Sequence, residues 1–189
     1  MKFFPRFSVL PAIVIALFNT QISNAQGPSS QSELRASIRV VPNDTSTPTF
    51  EVELSNIGDH DLVLNLGMML ANGRQQYADA IHLVLRDTQN SIEMLDLKGP
   101  PMVAGRIDPF VVPLPKGARI ILPIKLADYW IQKQNIFDIQ LKPGRYFLTA
   151  EYRGEGVKFA NLDMPGIKLM PYWLGRVNSI EDSFVVPGK

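Results

Sequence analysis

Cysteine is absent from all 189 residues. That excludes disulfides, zinc–thiolate sites and thiol nucleophiles, so the core must hold without cross-links. Histidine is scarce, with only His60 and His82. Charge imbalance is missing too: 19 Lys+Arg stand against 18 Asp+Glu. Near neutrality with interspersed signs argues against nucleic acid or an anionic membrane as partner. There is no repeat, heptad pattern or low-complexity tract. The chain also lacks a G-x-S-x-G elbow, an H-E-x-x-H helix, a Walker loop and a dinucleotide glycine fingerprint. Two histidines would suffice for one Ser-His-Asp triad. His82, however, sits between Ile81 and Leu83 and reads as a side chain on the less buried face of a strand. The expectation is no enzyme and no cofactor.

What is present begins with an export signal. Lys2 and Arg6 give a positive start, Phe7 to Phe18 is almost wholly apolar, and Ser23-Asn24-Ala25 supplies small residues for cleavage. The apolar run is short for a membrane span and Pro11 interrupts it, so no stable span is expected after cleavage. No cysteine follows the cleavage site for lipidation. The expected mature chain starts at Gln26 and has 189 − 25 = 164 residues, enough for one domain with its own core. Its formal charge becomes 17 − 18 = −1. Residues 26–33 read as a flexible leader and 34–189 as a single domain. The expected location is outside a bacterial cytoplasm, in the periplasm or secreted.

From Leu34 on, period-two alternation dominates. Leu34, Ala36, Ile38 and Val40 form one strand; Phe50, Val52 and Leu54 form another, followed by Leu62 to Leu66 as its expected hairpin partner. Gly67 to Ala80 is irregular, with Asn72-Gly73 as a turn signal, and is expected to cross between sheets. Ile81 to Arg86 and Ser91 to Leu97 flank a turn at Asp87 to Asn90. A Pro-rich stretch follows, where Pro109, Pro113 and Pro115 forbid a central strand but suit an edge or an extended connection. Ile120, Leu122 and Ile124 alternate, with Pro123 pointing to an edge; Leu126 to Phe137 is the one plausible helix; Ser183 to Val186 closes the chain as a strand.

One stretch organises the rest: Leu141-Lys142-Pro143-Gly144-Arg145-Tyr146-Phe147-Leu148-Thr149-Ala150-Glu151-Tyr152. Pro143-Gly144 is a turn dipeptide. After it, Tyr146, Leu148, Ala150 and Tyr152 share one face and Arg145, Phe147, Thr149, Glu151 and Arg153 the other. That predicts a central strand. The whole pattern predicts an all-β, antiparallel two-sheet sandwich of roughly seven to nine strands with at most one short helix. An up-and-down barrel is the rival; the Pro-rich crossovers favour the sandwich.

Two pieces carry a resemblance. Leu141-x-Pro143-Gly144-x-Tyr146 is similar to the tyrosine corner of fibronectin type III domains, and Trp173-Leu174-Gly175-x-Val177-x-Ser179 resembles the approach to the closing strand in exported bacterial sandwich proteins. The resemblance implies an immunoglobulin-like module, in which the Tyr146 hydroxyl bonds backbone a few residues upstream. Both cysteines of antibody domains are missing. Such modules serve adhesion, carbohydrate binding, protease inhibition and chaperoning, so fold alone selects no function.

The candidate binding residues are Arg106 and Asp108, expected to pair across the Pro-rich loop, and the dipeptides Tyr129-Trp130 and Tyr172-Trp173. Each aromatic pair is either a sugar-stacking or protein-anchoring surface or a plug for the end of the core, and burial favours the plug for both tryptophans, Trp173 ahead of Trp130. Asp59-His60-Asp61 is the densest group of metal-capable side chains, yet three sequence neighbours converge on one ion poorly, and no metal site is assigned. The leading expectation is a module that binds a protein partner. A carbohydrate module that binds polysaccharide through exposed Trp and Tyr is one alternative. The other is an extracellular protease inhibitor presenting the proline-braced segment Pro109 to Pro115.

Overall fold

In a computed structural model, the described residues are 33–41, 48–100, 106–157 and 172–188. They contain twelve strands: β1 (Leu34–Val41), β2 (Thr49–Asn56), β3 (Leu62–Leu70), β4 (Gln75–Tyr77), β5 (Ile81–Asp87), β6 (Ile92–Leu97), β7 (Asp108–Leu114), β8 (Arg119–Lys125), β9 (Tyr129–Trp130), β10 (Gly144–Gly154), β11 (Gly175–Asn178) and β12 (Asp182–Val186). The large sheet runs β11-β10-β5-β6-β9, with β12 also on β10; two smaller sheets run β1-β2-β8 and β4-β3-β7. Every strand pair is antiparallel. The fold is an all-β sandwich. Inward residues of all three sheets make one core, including Phe50, Val52 and Leu54 of β2, Leu62, Leu64 and Leu66 of β3, Ile81 and Leu83 of β5, and Leu148, Ala150 and Tyr152 of β10. Burying each large apolar side chain contributes about 1.5–3 kcal/mol.

The organising strand is β10, at 11 residues the longest. It is central because both edges are used: β5 pairs along Tyr146–Tyr152, while β12 and β11 share the other edge. Glu151 opposes Asn178 and Leu148 opposes Asp182, so three residues (179–181) face two (149 and 150). This is a β-bulge, and Ser179 fills it: its backbone N–H donates to the Ala150 carbonyl (2.8 Å) and its Oγ accepts from the Ala150 N–H (2.9 Å). At the start of β10 the Tyr146 hydroxyl donates to the Lys142 carbonyl at 3.1 Å, four residues upstream. That is the contact expected of the Leu141–Tyr146 segment, with Gly144 at φ +154° just before it.

Strand type was readable from alternation; strand partnership was not. The expected hairpin between β2 and β3 does not form, because β2 is flanked by β1 and β8 and β3 by β4 and β7. The buried Asn56 side chain turns the chain between layers. Its Nδ2 donates to the carbonyls of His60 (2.8 Å) and Leu114 (2.9 Å), and its Oδ1 accepts from the Gly58 N–H. Nor does a helix form over Leu126 to Phe137. Two 3-10 turns, Leu126–Asp128 and Gln132–Gln134, flank β9, and the buried Tyr129 and Ile131 are two apart, which is strand spacing. The strands that raise the total above nine are β4, β9 and β11, each four residues or fewer and too short to show alternation. Edges are blunted as the prolines predict. Pro109 and Pro113 lie in β7, Pro123 lies in β8, and the β1 edge donates its Val40 N–H to the Asp182 carboxylate (2.8 Å). Most of the Pro109 to Pro115 segment is therefore strand, paired with β3 from Pro109 to Leu114, and the free, cleft-entering loop envisaged there is corrected. The signal segment and residues 26–32 of the leader lie outside the described residues, whereas Glu33 is described.

Candidate binding surface

The outward residues of the large sheet fall into cross-strand rows. Phe147 lies beside Arg86 and Arg86 beside Ile92; Thr149 lies beside Val84 and Val84 beside Met94; Glu151 lies beside His82, and Asp96 beside Trp130. The first row mixes apolar and charged side chains, the second is mostly apolar and the third carries ionisable groups. In the first, the Arg86 guanidinium sits 4.2 Å over the Phe147 ring and bonds Glu181 at 2.6 Å. Ile92 and Met94 are 62% and 41% exposed. In the third, His82 Nδ1 meets Asp96 Oδ1 at 2.6 Å, and the Arg153 Nε donates to Glu151.

Beside Met94 the chain makes a pinned excursion. Ile131 N–H donates to the Ile136 carbonyl (2.9 Å) and Ile136 N–H to the Ile131 carbonyl (3.1 Å), closing a six-residue neck. Asn135 takes the left-handed conformation (φ 57°) that the turn needs, a position asparagine tolerates. Gln134 Nε2 donates to Glu93 Oε1 (2.7 Å), which holds the loop against β6. Across the neck Trp130 stacks on Phe137, with centroids 4.4 Å apart and planes 15° from parallel. Phe137 is 55% exposed and Ile136 38%. The stacked rings thus stand at the surface, on the face that also carries Met94 and Ile92, and the core plug expected of Trp130 does not form because its register opposite Asp96 turns the ring outward.

The other sequence candidates are dispersed. Tyr129 points inward opposite Leu97, and its buried hydroxyl donates to the Ile81 carbonyl (3.3 Å); burial raises its pKa. Trp173 is 1% exposed, stacked on Tyr152 and laid against Gly154, so its ring offers no face to a ligand. Tyr172 is half-buried, bridges to Val63 of β3, and has its pKa raised by burial. Arg106 and Asp108 pair as expected (2.6 Å), but at the start of β7, in a different sheet from Trp130.

Asp59-His60-Asp61 is split by the structure. Asp61 accepts the Lys116 N–H (2.9 Å), while Glu33 joins the other two, and among the described residues these form the one group of three or more His or carboxylate side chains whose ligand atoms all lie within 4.8 Å of one another. Both imidazole nitrogens face carboxylates, Nδ1 to Asp59 at 3.0 Å and Nε2 to Glu33 at 3.6 Å. The Asp59 hydrogen bond raises the His60 pKa and lowers that of Asp59. The arrangement suits an imidazolium between two carboxylates rather than a ring nitrogen open to a metal ion.

Ile92, Met94, Phe137 and the ionised row escaped the reading of the sequence. The alternation of Ile92, Met94 and Asp96 was there to find, but it assigns a face only once β5 and β6 are in register. No helix among the described residues is long and apolar enough to cross a membrane. No family model matches the chain, and no curated protein does. The X-ray structure of the Northeast Structural Genomics Consortium target SoR45 is similar at 10% identity, over 83% of this chain and 88% of that one, with a TM-score of 0.36. At that score the likeness carries no argument.

Proposed function

We propose that this chain is an exported, non-enzymatic, immunoglobulin-like module that binds a protein partner through the outer face of its large sheet. One observation carries the reading: the stacked Trp130–Phe137 pair on a neck closed by two backbone hydrogen bonds, on the sheet face that also carries exposed Ile92 and Met94. Clustered exposed apolar groups mark interaction surfaces on soluble folds, and a pinned loop has less entropy to lose on binding than a free one. The Tyr146–Lys142 contact suits the immunoglobulin-like assignment, and the signal at residues 1–25 suits export. The test replaces Ile136, or as a control the exposed Ile121 of β8, with a photocrosslinking amino acid in the producing cell. A discrete crosslinked species from position 136, lost on Ile92→Asp and absent from 121, supports the reading. Equal labelling from both positions refutes it.

The near-parallel ring pair also favours a second reading, stacking of a sugar ring on Phe137. A saturable change of Trp130 fluorescence with an oligosaccharide, abolished by Phe137→Ala, would select that reading over the protein partner.

A further inference from the structure

A cavity of about 300 Å3 opens beside the ionised row, lined by Asn65, Gly67, Asp79, His82, Arg153 and Glu155. Its charges are unevenly matched. The Arg153 guanidinium is committed to Glu151, with Arg176 also 3.9 Å from that carboxylate, and His82 is committed through Nδ1 to Asp96. Asp79 and Glu155 enter no ion pair among the described residues. The Asp79 carboxylate is also built in. β3 bulges between Asn65 and Gly67, and Gly67 has φ +140°. A Cβ there would stand 2.1 Å from Asp79 Oδ1 and 2.2 Å from the Tyr77 carbonyl. Only glycine leaves that space. Burial raises the Asp79 pKa, outweighing the opposing effects of a hydrogen bond to its own backbone and of nearby His82.

We propose that this cavity receives the side chain of a lysine or arginine projecting from the protein partner, its cationic head meeting Asp79 and Glu155. The inference rests on the protein-binding reading and names the chemistry of the anchor. A divalent ion fits less well, because the cavity's His and carboxylate atoms do not gather within 4.8 Å as those of Glu33, Asp59 and His60 do. The surroundings suit a long basic side chain. Arg153 Nη2 lies 3.1 Å from Met94 Sδ, so the cavity wall adjoins the apolar patch, over which the methylene stem would lie.

The experiment needs no partner. His82 lines the cavity and is one of only two histidines, so its imidazole proton resonance reports occupancy while His60 serves as internal reference. The probes are N-acetyl-lysine methylamide and N-acetyl-arginine methylamide, with N-acetyl-glutamine methylamide as neutral control. A saturable shift of His82 alone is expected with the basic probes, weakened on the order of tenfold by Asp79→Asn and less by Glu155→Gln. Glu155 is exposed, so that variant tests the cavity even if Asp79→Asn perturbs the fold. No saturable shift, an equal shift with the neutral probe, or a shift that survives both substitutions overturns the inference. Spermidine binding far more tightly than either blocked amino acid would assign the cavity to a free polyamine and overturn the protein anchor. Because the crosslinking at position 136 does not depend on this cavity, failure here leaves the patch to be judged by its own test.

Discussion

Two copies of the same dipeptide, Tyr129-Trp130 and Tyr172-Trp173, meet opposite fates. In the first the tyrosine enters the core and the tryptophan faces out; in the second the tryptophan enters and the tyrosine is half-buried. Strand register makes the difference. Tyr129 stands opposite Leu97, whose side chain points in, and Trp130 opposite Asp96, whose side chain points out. Trp173 instead lies against Gly154, which has no side chain, and its N–H donates to the Val63 carbonyl (3.0 Å). The two residues and their order are the same. The partner strand decides which ring becomes structure and which becomes surface.

The largest expected effect tests the buried half of this contrast. Trp173→Ala should cost about 3–5 kcal/mol, the range for emptying an aromatic site in a core, read as a lowered urea midpoint. Trp130→Ala should cost no more than about 1 kcal/mol, since its ring is stacked at the surface. Equal losses would break the comparison. From the other side of the same contact, Gly154→Ala places a Cβ 2.4 Å from the Trp173 ring and 2.5 Å from its carbonyl oxygen, so about 1–3 kcal/mol of overpacking is expected. If Gly154→Ala proves neutral, Trp173 is not held against that strand.

Tyr129→Phe sharpens the contrast at the other dipeptide. It removes the hydrogen bond to Ile81 while keeping the ring, which should cost about 1 kcal/mol. With the raised pKa of the buried phenol, an alkaline absorbance titration should show Tyr129 ionising only with unfolding. Collisional quenching gives a contrast without a stability change: acrylamide should reach Trp130 and spare Trp173, so Trp130→Phe should leave a nearly unquenched protein. Strong residual quenching in that variant would place Trp173 in water.

The smallest effect provides a reference for wholly exposed contacts. The folded pKa of His60 is raised from its ordinary 6.5 by its hydrogen bond to Asp59. Its stabilisation is therefore full below about pH 6.5 and fades as the pH rises through the folded value. His60→Gln should lower Tm slightly at pH 5.5 and not at pH 8.5; a difference that grew with pH would contradict the sign.

Local pattern and long-range placement divide the credit for what could be read in advance. Alternation in Leu34–Val40, Phe50–Leu54 and Tyr146–Tyr152 marks strands because a pleated backbone sends successive side chains to opposite faces, whatever lies beyond it. Prolines mark edges because they lack an N–H for the ladder. The Tyr146–Lys142 contact spans four residues and is local as well. The absences of cysteine and of a catalytic motif are properties of the string itself.

Partnership is another matter. That β2 joins β8 rather than β3, that Trp130 of β9 pairs with β6 on the face carrying Ile92 and Met94, and that Asp79 nests against Gly67 are contacts between distant segments. A period of two says which residues share a face of one strand, but not which strand lies next to it or which sheet covers it. Those choices belong to the closing of a common core, where many inward side chains must be satisfied at once. So the strands, their edges and the corner of β10 were written locally, whereas the candidate surface and the acidic cavity exist only in the folded sandwich.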